Sequence, residues 1–371
     1  PVWDAVRRIE LRRANVHRGI HAVSEECTSA YEAARTAVAA YLGAQPEQIR
    51  FTSGTTDAVN QTADWLRTQL RPGDRVAVTR MEHHSNFVPW QQICLETGAE
   101  FVILPLTKEG DLDLSAAEQL LAPGVRLAAA AHSSNVLGTV NDIPALAELT
   151  HKAGGLLFVD GAQGICHETV DVNALNCDFY AFSGHKLMAP MGIGVLYGKE
   201  KLLDEMPPFL TGGEMIESVT RESAVFAELP HKFEAGTVNG AGAWALKAAI
   251  EYINSLGFAT LQERELALTT QAMEELKKIP YVNIIGSQDP KEHNGIVNFT
   301  VEGVHPHDIA SILDGAGVDV RAGHHCAQPL LKHLGVFVTT RASIAFYNDE
   351  EDIHRFTEAV KGIRRMMGYA E

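Results

Sequence analysis

Four short segments place reactive side chains directly after runs of apolar residues. Lys186 stands in Ser183-Gly184-His185-Lys186, behind Phe179-Tyr180-Ala181-Phe182. A lysine at the mouth of a buried strand is easily desolvated, which lowers its pKa and makes the amine a nucleophile, whereas a lysine in a solvated loop gains neither property. Asp160 ends the run Leu156-Leu157-Phe158-Val159 and is followed by Gly161-Ala162-Gln163. A carboxylate there points into the crevice where an open α/β sheet binds ligands, although a turn or helix cap uses the same residue. Ser53-Gly54-Thr55-Thr56 joins an apolar run to a helical pattern. Its small residues let backbone N–H groups approach an anion, while the Walker and GxGxxG spacings are absent. Glu82-His83-His84 follows the run Arg75–Thr79. A histidine in that place can stack on an aromatic ligand or carry protons. Adjacent histidines diverge on a strand or a helix, so no shared metal is expected.

A fifth segment lies far downstream. Arg321-Ala322-Gly323-His324-His325-Cys326-Ala327 is followed by Thr340-Arg341-Ala342-Ser343. A cysteine in a Gly-containing loop, beside two imidazoles and a guanidinium, has neighbours that favour the thiolate. Taken alone it would read as a small buried hydrophobe. The other cysteines, Cys27, Cys94, Cys166 and Cys177, form no CxxC pair. A zinc site or a thioredoxin-like redox pair is therefore not expected.

The elements that must position these residues are legible as a pattern. Strands are predicted at Ile49–Thr52, Arg75–Thr79, Phe101–Pro105, Arg126–Ala131, Leu156–Asp160, Asp178–Ser183 and Gly194–Tyr197. Helices are predicted between them at Thr55–Gln69, Ser85–Thr97, Ser115–Leu121 and Ile143–Ala153, after a helical stretch over Glu10–Leu42. Short apolar runs alternating with helices read as βαβ units and a mostly parallel seven-stranded sheet. After Gly198 the pattern changes to a loop-rich stretch, then helices at Ala241–Leu256 and Thr260–Lys278. Strands at Ile296–Val301, Val318–Arg321 and Ala342–Phe346, with helices at His307–Gly315 and Glu350–Met367, indicate a smaller α+β domain. The expected division is residues 1–250 for a large ligand-binding domain and 251–371 for a small domain carrying Cys326. The N-terminal helical segment is expected to pack with the small one.

Composition narrows the classes of partner. The formal charge of −16 opposes nucleic acid and anionic membrane surfaces, which need a basic footprint. It does not forbid a local basic site for a small anion. No run approaches a membrane span, and no signal peptide opens the chain. With few cysteines in a large acidic chain, a reducing compartment is expected. The abrupt start at Pro1 leaves a lost presequence open.

Together the first four segments offer an amine, a carboxylate, an imidazole and a phosphate cradle after strands of one sheet. That set is what pyridoxal 5'-phosphate needs. The chain resembles the fold-type I pyridoxal-phosphate enzymes of the aminotransferase class V group. The Arg-x-Gly-His-His-Cys-Ala segment further resembles the active-site loop of the SufS-like group II cysteine desulfurases, which include selenocysteine lyases. The resemblance runs from Asn15-Val16-His17-Arg18-Gly19-Ile20-His21 through Arg341-Ala342-Ser343.

The resemblance implies residue roles. Lys186 bonds the cofactor, Asp160 pairs with its pyridine nitrogen, and Gln163 bonds its phenolic oxygen. His83 stacks on the ring and moves protons. Thr55, Thr56, Ser183 and His185 hold the phosphate, with Thr237 reaching it from a second copy of the chain in a homodimer. Arg341 and Asn135 bind the substrate carboxylate, and Cys326 accepts sulfur. The implied reaction takes L-cysteine to L-alanine and leaves a persulfide, passed to a SufE-like or SufU-like acceptor for iron–sulfur cluster assembly. L-Selenocysteine as preferred substrate, another class V aminotransferase or lyase reaction, and a sulfur-transfer scaffold are the alternatives. A cytoplasmic location is expected, with a plastid left open. Members of the resembling group carry an Asp-Asn-Ala-Ala segment that lines the substrate pocket and would precede Pro1.

Overall fold

The computed structural model describes residues 1–121 and 123–369. Seven strands form the main sheet: β1 (Ile49–Thr52), β2 (Arg75–Thr79), β3 (Glu100–Leu104), β4 (Val125–Ala131), β5 (Leu156–Asp160), β6 (Phe179–Ser183) and β7 (Gly194–Gly198). Their order is β1-β7-β6-β5-β4-β2-β3. Only β7 runs against the rest. Alternation along the strands divides two cores. Leu157, Val159, Tyr180 and Phe182 face one side, with Tyr31, Val38, Leu42 and Leu246. Phe158, Phe179 and Ala181 face the other, with Trp65, Leu66 and Trp90. Helices thus cover both faces, as a mostly parallel sheet requires.

The expected Glu10–Leu42 helix is two helices, Val2–Leu11 and Ala22–Leu42. The second starts where the His21 imidazole accepts the Ser24 N–H, 3.3 Å away. Both pack on the helix Gly240–Leu256. Tyr31 through Leu42 join the main-sheet core, which corrects the expected packing with the smaller unit. Ser85–Thr97 also divides, into a turn at His84–Asn86 and a helix from Val88 to Thr97. Pro89 sits in that helix's first turn, where its missing N–H costs nothing.

A second, antiparallel sheet follows. The stretch read as loop contains a small exposed hairpin, β8 (Ile216–Val219) with β9 (Ala224–Phe226). Then β10 (Val282–Ile284), β11 (Ile296–Val301), β12 (Arg321–Gly323) and β13 (Thr339–Ser343) assemble in the order β10-β11-β13-β12. β10 and the helix Gln328–His333 were not anticipated, because each is too short to show a period. The last two strands are displaced from the expected Val318–Arg321 and Ala342–Phe346. Val318 and Val320 are apolar because they pack on the core of the C-terminal sheet, before the ladder begins. The true ladder sets Arg321 opposite Arg341 and Gly323 opposite Thr339.

One buried ion pair ties the N-terminal helices to the loop after β9. Arg35 is 1% exposed and bonds Glu234 at 2.5 Å, and Tyr31 donates to the same carboxylate at 2.7 Å. Burial alone would raise the Glu234 pKa, but the hydrogen bond from His231, the Arg35 charge and Tyr31 win and hold it at about 2. A carboxylate depressed in the fold stabilises above its ordinary pKa near 4.5 and loses that contribution as pH falls towards 2. Glu234→Ala removes the buried carboxylate beside Arg35, which keeps Glu32 and the Ile49 carbonyl as partners, with an expected cost of about 1–3 kcal/mol in urea unfolding at neutral pH. The deficit relative to the parent chain should shrink below pH 4.

Candidate active site

Five segments converge at the carboxyl ends of β1, β2, β4, β5 and β6. They line a cavity of about 260 Å³. Strand order reverses between β2 and β4, the position at which such sheets open a ligand crevice. Thr55, Thr56, His83, Asn135, Asp160, Gln163, Ser183, His185, Lys186 and Arg341 all line it. Ten of the twelve expected residues are therefore brought together. Thr237 lies elsewhere, beside Asn15, Val16 and Gly240. Cys326 is reached through Arg321, which lines the cavity and donates to Sγ across 3.4 Å.

Lys186 lies in the turn after β6 and is half-buried. Burial lowers its pKa, with Arg341 and Arg321 adding to the effect, while Asp160 and Cys166 oppose it. Asp160 is 4% exposed and accepts the Ala162 N–H at 2.9 Å. Burial raises its pKa, and Lys186 together with that N–H pulls it back. A buried carboxyl of this kind needs a cation to ionise, and a protonated ring nitrogen would supply one.

His83 caps the turn His84–Asn86. Its Nδ1 accepts the Ser85 N–H at 3.1 Å, which puts the ring proton of the neutral imidazole on Nε2. Burial, then Lys186, His84 and the two arginines, lower its pKa to about 4. At pH 7 the ring is neutral, suited to stacking and to accepting a proton. Glu82 behind it is fully buried. It receives bonds from Thr79, Asn86 (2.5 Å) and the Ala131 N–H (2.8 Å), which tie the β2 loop to β4.

The helix Thr55–Arg67 points its N-terminus at the cavity. Gly54 adopts φ +153, and a Cβ on neighbouring Gly194 would lie 2.5 Å from Gly54 Cα. Glycine at both positions lets the turn press against β7. The Ser183 hydroxyl accepts the Thr55 N–H at 2.9 Å and lies 3.0 Å from Thr55 Oγ1. The Thr56 and Ser85 hydroxyls are 2.7 Å apart. These hydroxyls and the helix terminus form a cradle of donors for an anion.

The C-terminal sheet supplies the cavity's cations. Arg321 and Arg341 are register partners on adjacent strands. Like charges directly opposite repel unless an anion sits between them. Burial and Arg321 lower the Arg341 pKa to about 10. One Arg341 nitrogen donates to the Asn135 carbonyl at 2.8 Å, while its buried Nε has no partner among the described residues. Such an orphan donor fits a carboxylate ligand.

Between β12 and the helix Gln328–His333 lie only residues 324–327. His325 and Cys326 both take left-handed backbone conformations, φ +53 and +58. Each costs about 1–2 kcal/mol for a non-glycine residue. Four bonds hold them. Asn135 donates to the His325 carbonyl at 2.7 Å, and the His84 N–H donates to the Cys326 carbonyl at 2.6 Å. The Gln328 N–H donates to His84 Nε2 at 3.2 Å, and His325 Nε2 lies 2.9 Å from Thr339 Oγ1. His84 and Asn135 thus fasten the cysteine loop to the main sheet. His84 and Arg321 stand in segments singled out in the sequence, but the docking of His84 on the cysteine loop was not expected. The Arg321–Arg341 facing register becomes visible only once the strand boundaries are known.

The site therefore combines a desolvated amine, a buried carboxyl, a neutral imidazole, an anion cradle and paired guanidiniums beside a thiol. Its residues fit pyridoxal phosphate with an α-carboxylate substrate. Residues 2–356 match the family described as Aminotransferase class-V. A probable cysteine desulfurase of Xylella fastidiosa is 45% identical over 356 residues, 96% of this chain and 85% of the relative. A cysteine desulfurase of Cronobacter sakazakii is 44% identical over 358 residues, 96% of this chain and 87% of that protein. The solved apo cysteine desulfurase of Thermococcus onnurineus superposes with a TM-score of 0.95 at 40% identity, covering 100% of this chain and 92% of that one. The chain belongs to the aminotransferase class-V family, on the mostly parallel α/β fold expected from its sequence.

Proposed function

We propose that the chain is a pyridoxal-phosphate-dependent cysteine desulfurase that converts L-cysteine to L-alanine and collects the sulfur on Cys326. The observation that carries the proposal is a thiol held by a short, bonded loop against a guanidinium that itself lines the lysine–aspartate cavity. When bound, the cofactor supplies an electron sink for the substrate's Cα. Lys186 would hold it covalently, Asp160 would hold the ring proton, and Gln163 would bond the phenolic oxygen. The Thr55–Thr56 terminus with Ser183 and His185 would hold the phosphate.

The chain's own residues have defined tasks. Arg341, through its unpartnered Nε, and Asn135 orient the substrate carboxylate. The Lys186 amine, whose pKa burial lowers, takes the Cα proton. Neutral His83 is placed to pass a proton. The Cys326 sulfur bonds to the substrate sulfur as the substrate C–S bond breaks, and the Cβ left behind gains a proton. The products are alanine and a persulfide, with no outside oxidant or reductant. Arg321 stabilises negative charge on Cys326 Sγ.

Several finer assignments belong to the same proposal. Residues 1–250 form the cofactor-binding unit and 251–371 the unit that carries Cys326. Thr237, outside its own chain's cavity, serves the cavity of a second copy, which makes the active form a homodimer. The acceptor is a SufE-like or SufU-like thiol protein of iron–sulfur cluster assembly, in the cytoplasm. No helix among the described residues is long and apolar enough to cross a membrane. The same geometry would handle L-selenocysteine, and relative turnover of the two amino acids decides the preference.

The test is alanine release after L-cysteine and a thiol reductant are added to the cofactor-loaded chain. Alanine formed catalytically is the expected result, and a loaded chain inert to L-cysteine would sink the proposal. Arg341→Ala removes a charge-assisted contact worth about 1.5–3 kcal/mol, so KM for L-cysteine should rise about 10–150-fold. An unchanged KM would remove Arg341 from carboxylate binding.

A further inference from the structure

Two imidazoles and two carboxylates gather beside the N-terminal helices, and none of the four lines the lysine–aspartate cavity. His17 comes from the loop between the helices Val2–Leu11 and Ala22–Leu42, and Glu32 from the second of those helices. His231 and Glu234 come from the turn after β9. His17 Nε2 and Glu32 Oε1 lie 3.0 Å apart, and His231 Nδ1 and Glu234 Oε2 lie 3.3 Å apart. The two imidazoles meet edge to face, with ring centroids 4.9 Å apart. One donor atom from each of the four side chains lies within 4.8 Å of the other three.

Ligand atoms bound about 2.0–2.1 Å from a tetrahedral zinc stand about 3.3–3.4 Å from one another, so each close pair already resembles two adjacent corners. His17, Glu32 and His231 are partly exposed, which leaves them room to close the wider gaps. The surrounding bonds fall mainly on the outer oxygens. Arg35 and Tyr31 donate to Glu234 Oε1 at 2.5 and 2.7 Å, away from the Oε2 that faces His231. Arg35 Nε donates to Glu32 Oε2 at 2.9 Å, while its Nη2 is 3.4 Å from Oε1. Outer partners of this kind orient ligating carboxylates. Arg35 offsets one of the two carboxylate charges, so the cluster with neutral imidazoles stays anionic. His17 takes a left-handed backbone conformation, φ +61, and its N–H donates to the Thr28 hydroxyl at 2.9 Å. A pocket of about 230 Å³, lined by His17, Glu214, His231 and Glu234 among others, gives an ion and its water a way in. Mixed imidazole and carboxylate ligands suit zinc and its divalent first-row neighbours, whereas calcium and magnesium take oxygen shells.

We propose that His17, Glu32, His231 and Glu234 bind one divalent transition-metal ion of the zinc type. The ion cross-links the N-terminal loop, the helix behind it and the turn that leads into Thr237, so its binding adds to the stability of the fold. Cysteine spacing could not reveal this site, because its ligands come from three separate segments and include no thiol. The proposal is independent of the cofactor assignment above.

The test uses the full chain carrying Cys326→Ala, so that the loop thiol cannot capture the probe. The chain is stripped with a chelator and dialysed against zinc chloride. One zinc per chain, held at micromolar concentration, is expected, and His17→Gln and His231→Gln should each weaken binding about 10–100-fold. Zinc should also raise the urea midpoint of the chain with all four ligands. It should protect His17 and His231 from diethylpyrocarbonate, counted by peptide mass spectrometry, while exposed His354 keeps reacting. The protection readout needs no ligand substitution and stands even where a variant folds poorly. A chain that takes up no zinc, an affinity unmoved in both variants, or His17 and His231 modified at the same rate with and without zinc would overturn the proposal. A urea midpoint unmoved by saturating zinc would remove the cross-link.

Discussion

Cys326→Ala is expected to lower alanine release from L-cysteine by at least about 10³-fold while leaving cofactor binding intact. The substitution deletes the atom that must bond to the substrate sulfur. A thiol reductant in solution could take its place, but only at millimolar concentration. A positioned nucleophile acts at an effective concentration of about 10⁵ M or more, so an external thiol cannot compensate. The lysine–aspartate cavity does not depend on the removed sulfur. The left-handed turn at residues 325 and 326 is fastened by backbone groups, including the carbonyl at 326 that receives the His84 N–H. The visible spectrum of the bound cofactor, and its change on adding L-cysteine, should therefore persist. Alanine release at the parent rate would remove Cys326 from the mechanism and favour another class V reaction.

Lys186→Ala should be more damaging still. It removes both the covalent tether and the base that takes the Cα proton, so turnover should fall by about 10⁴-fold or more. Borohydride reduction should fix pyridoxal phosphate to the parent chain through Lys186 and none to the variant. The two readouts separate the roles. A variant that still acquires the covalent label has a different tether, and one that keeps turnover has a different base. Loss of the amine also removes the cation nearest Asp160. The Asp160 carboxyl, already pushed up by burial, should rise further in the variant. The remaining non-covalent affinity for pyridoxal phosphate should then fall as pH rises, because ring protonation becomes the means by which Asp160 ionises.

Much of this site was legible because its residues follow strands. Asp160 closes an apolar run and Lys186 stands in the turn just after another, and a parallel sheet sends the ends of its strands to one edge. Seven strands were therefore enough to predict that four distant segments meet. The Arg–Gly–His–His–Cys segment was legible by resemblance. Its geometry was not, because β12 and β13 are short and half polar, and the apolar residues nearby belong to a different packing surface. The facing of Arg321 and Arg341 and the docking of His84 on the cysteine loop depend on a register that no period in the sequence encodes. Thr237 shows the limit of a single chain. Its own cavity does not contain it, and only a second copy would give it a role at the phosphate.

Mass spectrometry after a single turnover tests the central claim most directly. The cofactor-loaded chain, free of reductant, would receive one equivalent of L-cysteine. The peptide containing Cys326 would then be weighed and the alanine counted. The account predicts one alanine for each added mass of one sulfur atom, carried on Cys326 and removed by a thiol reductant. Alanine released with no sulfur on Cys326, or sulfur found on another cysteine of the parent chain, would contradict it.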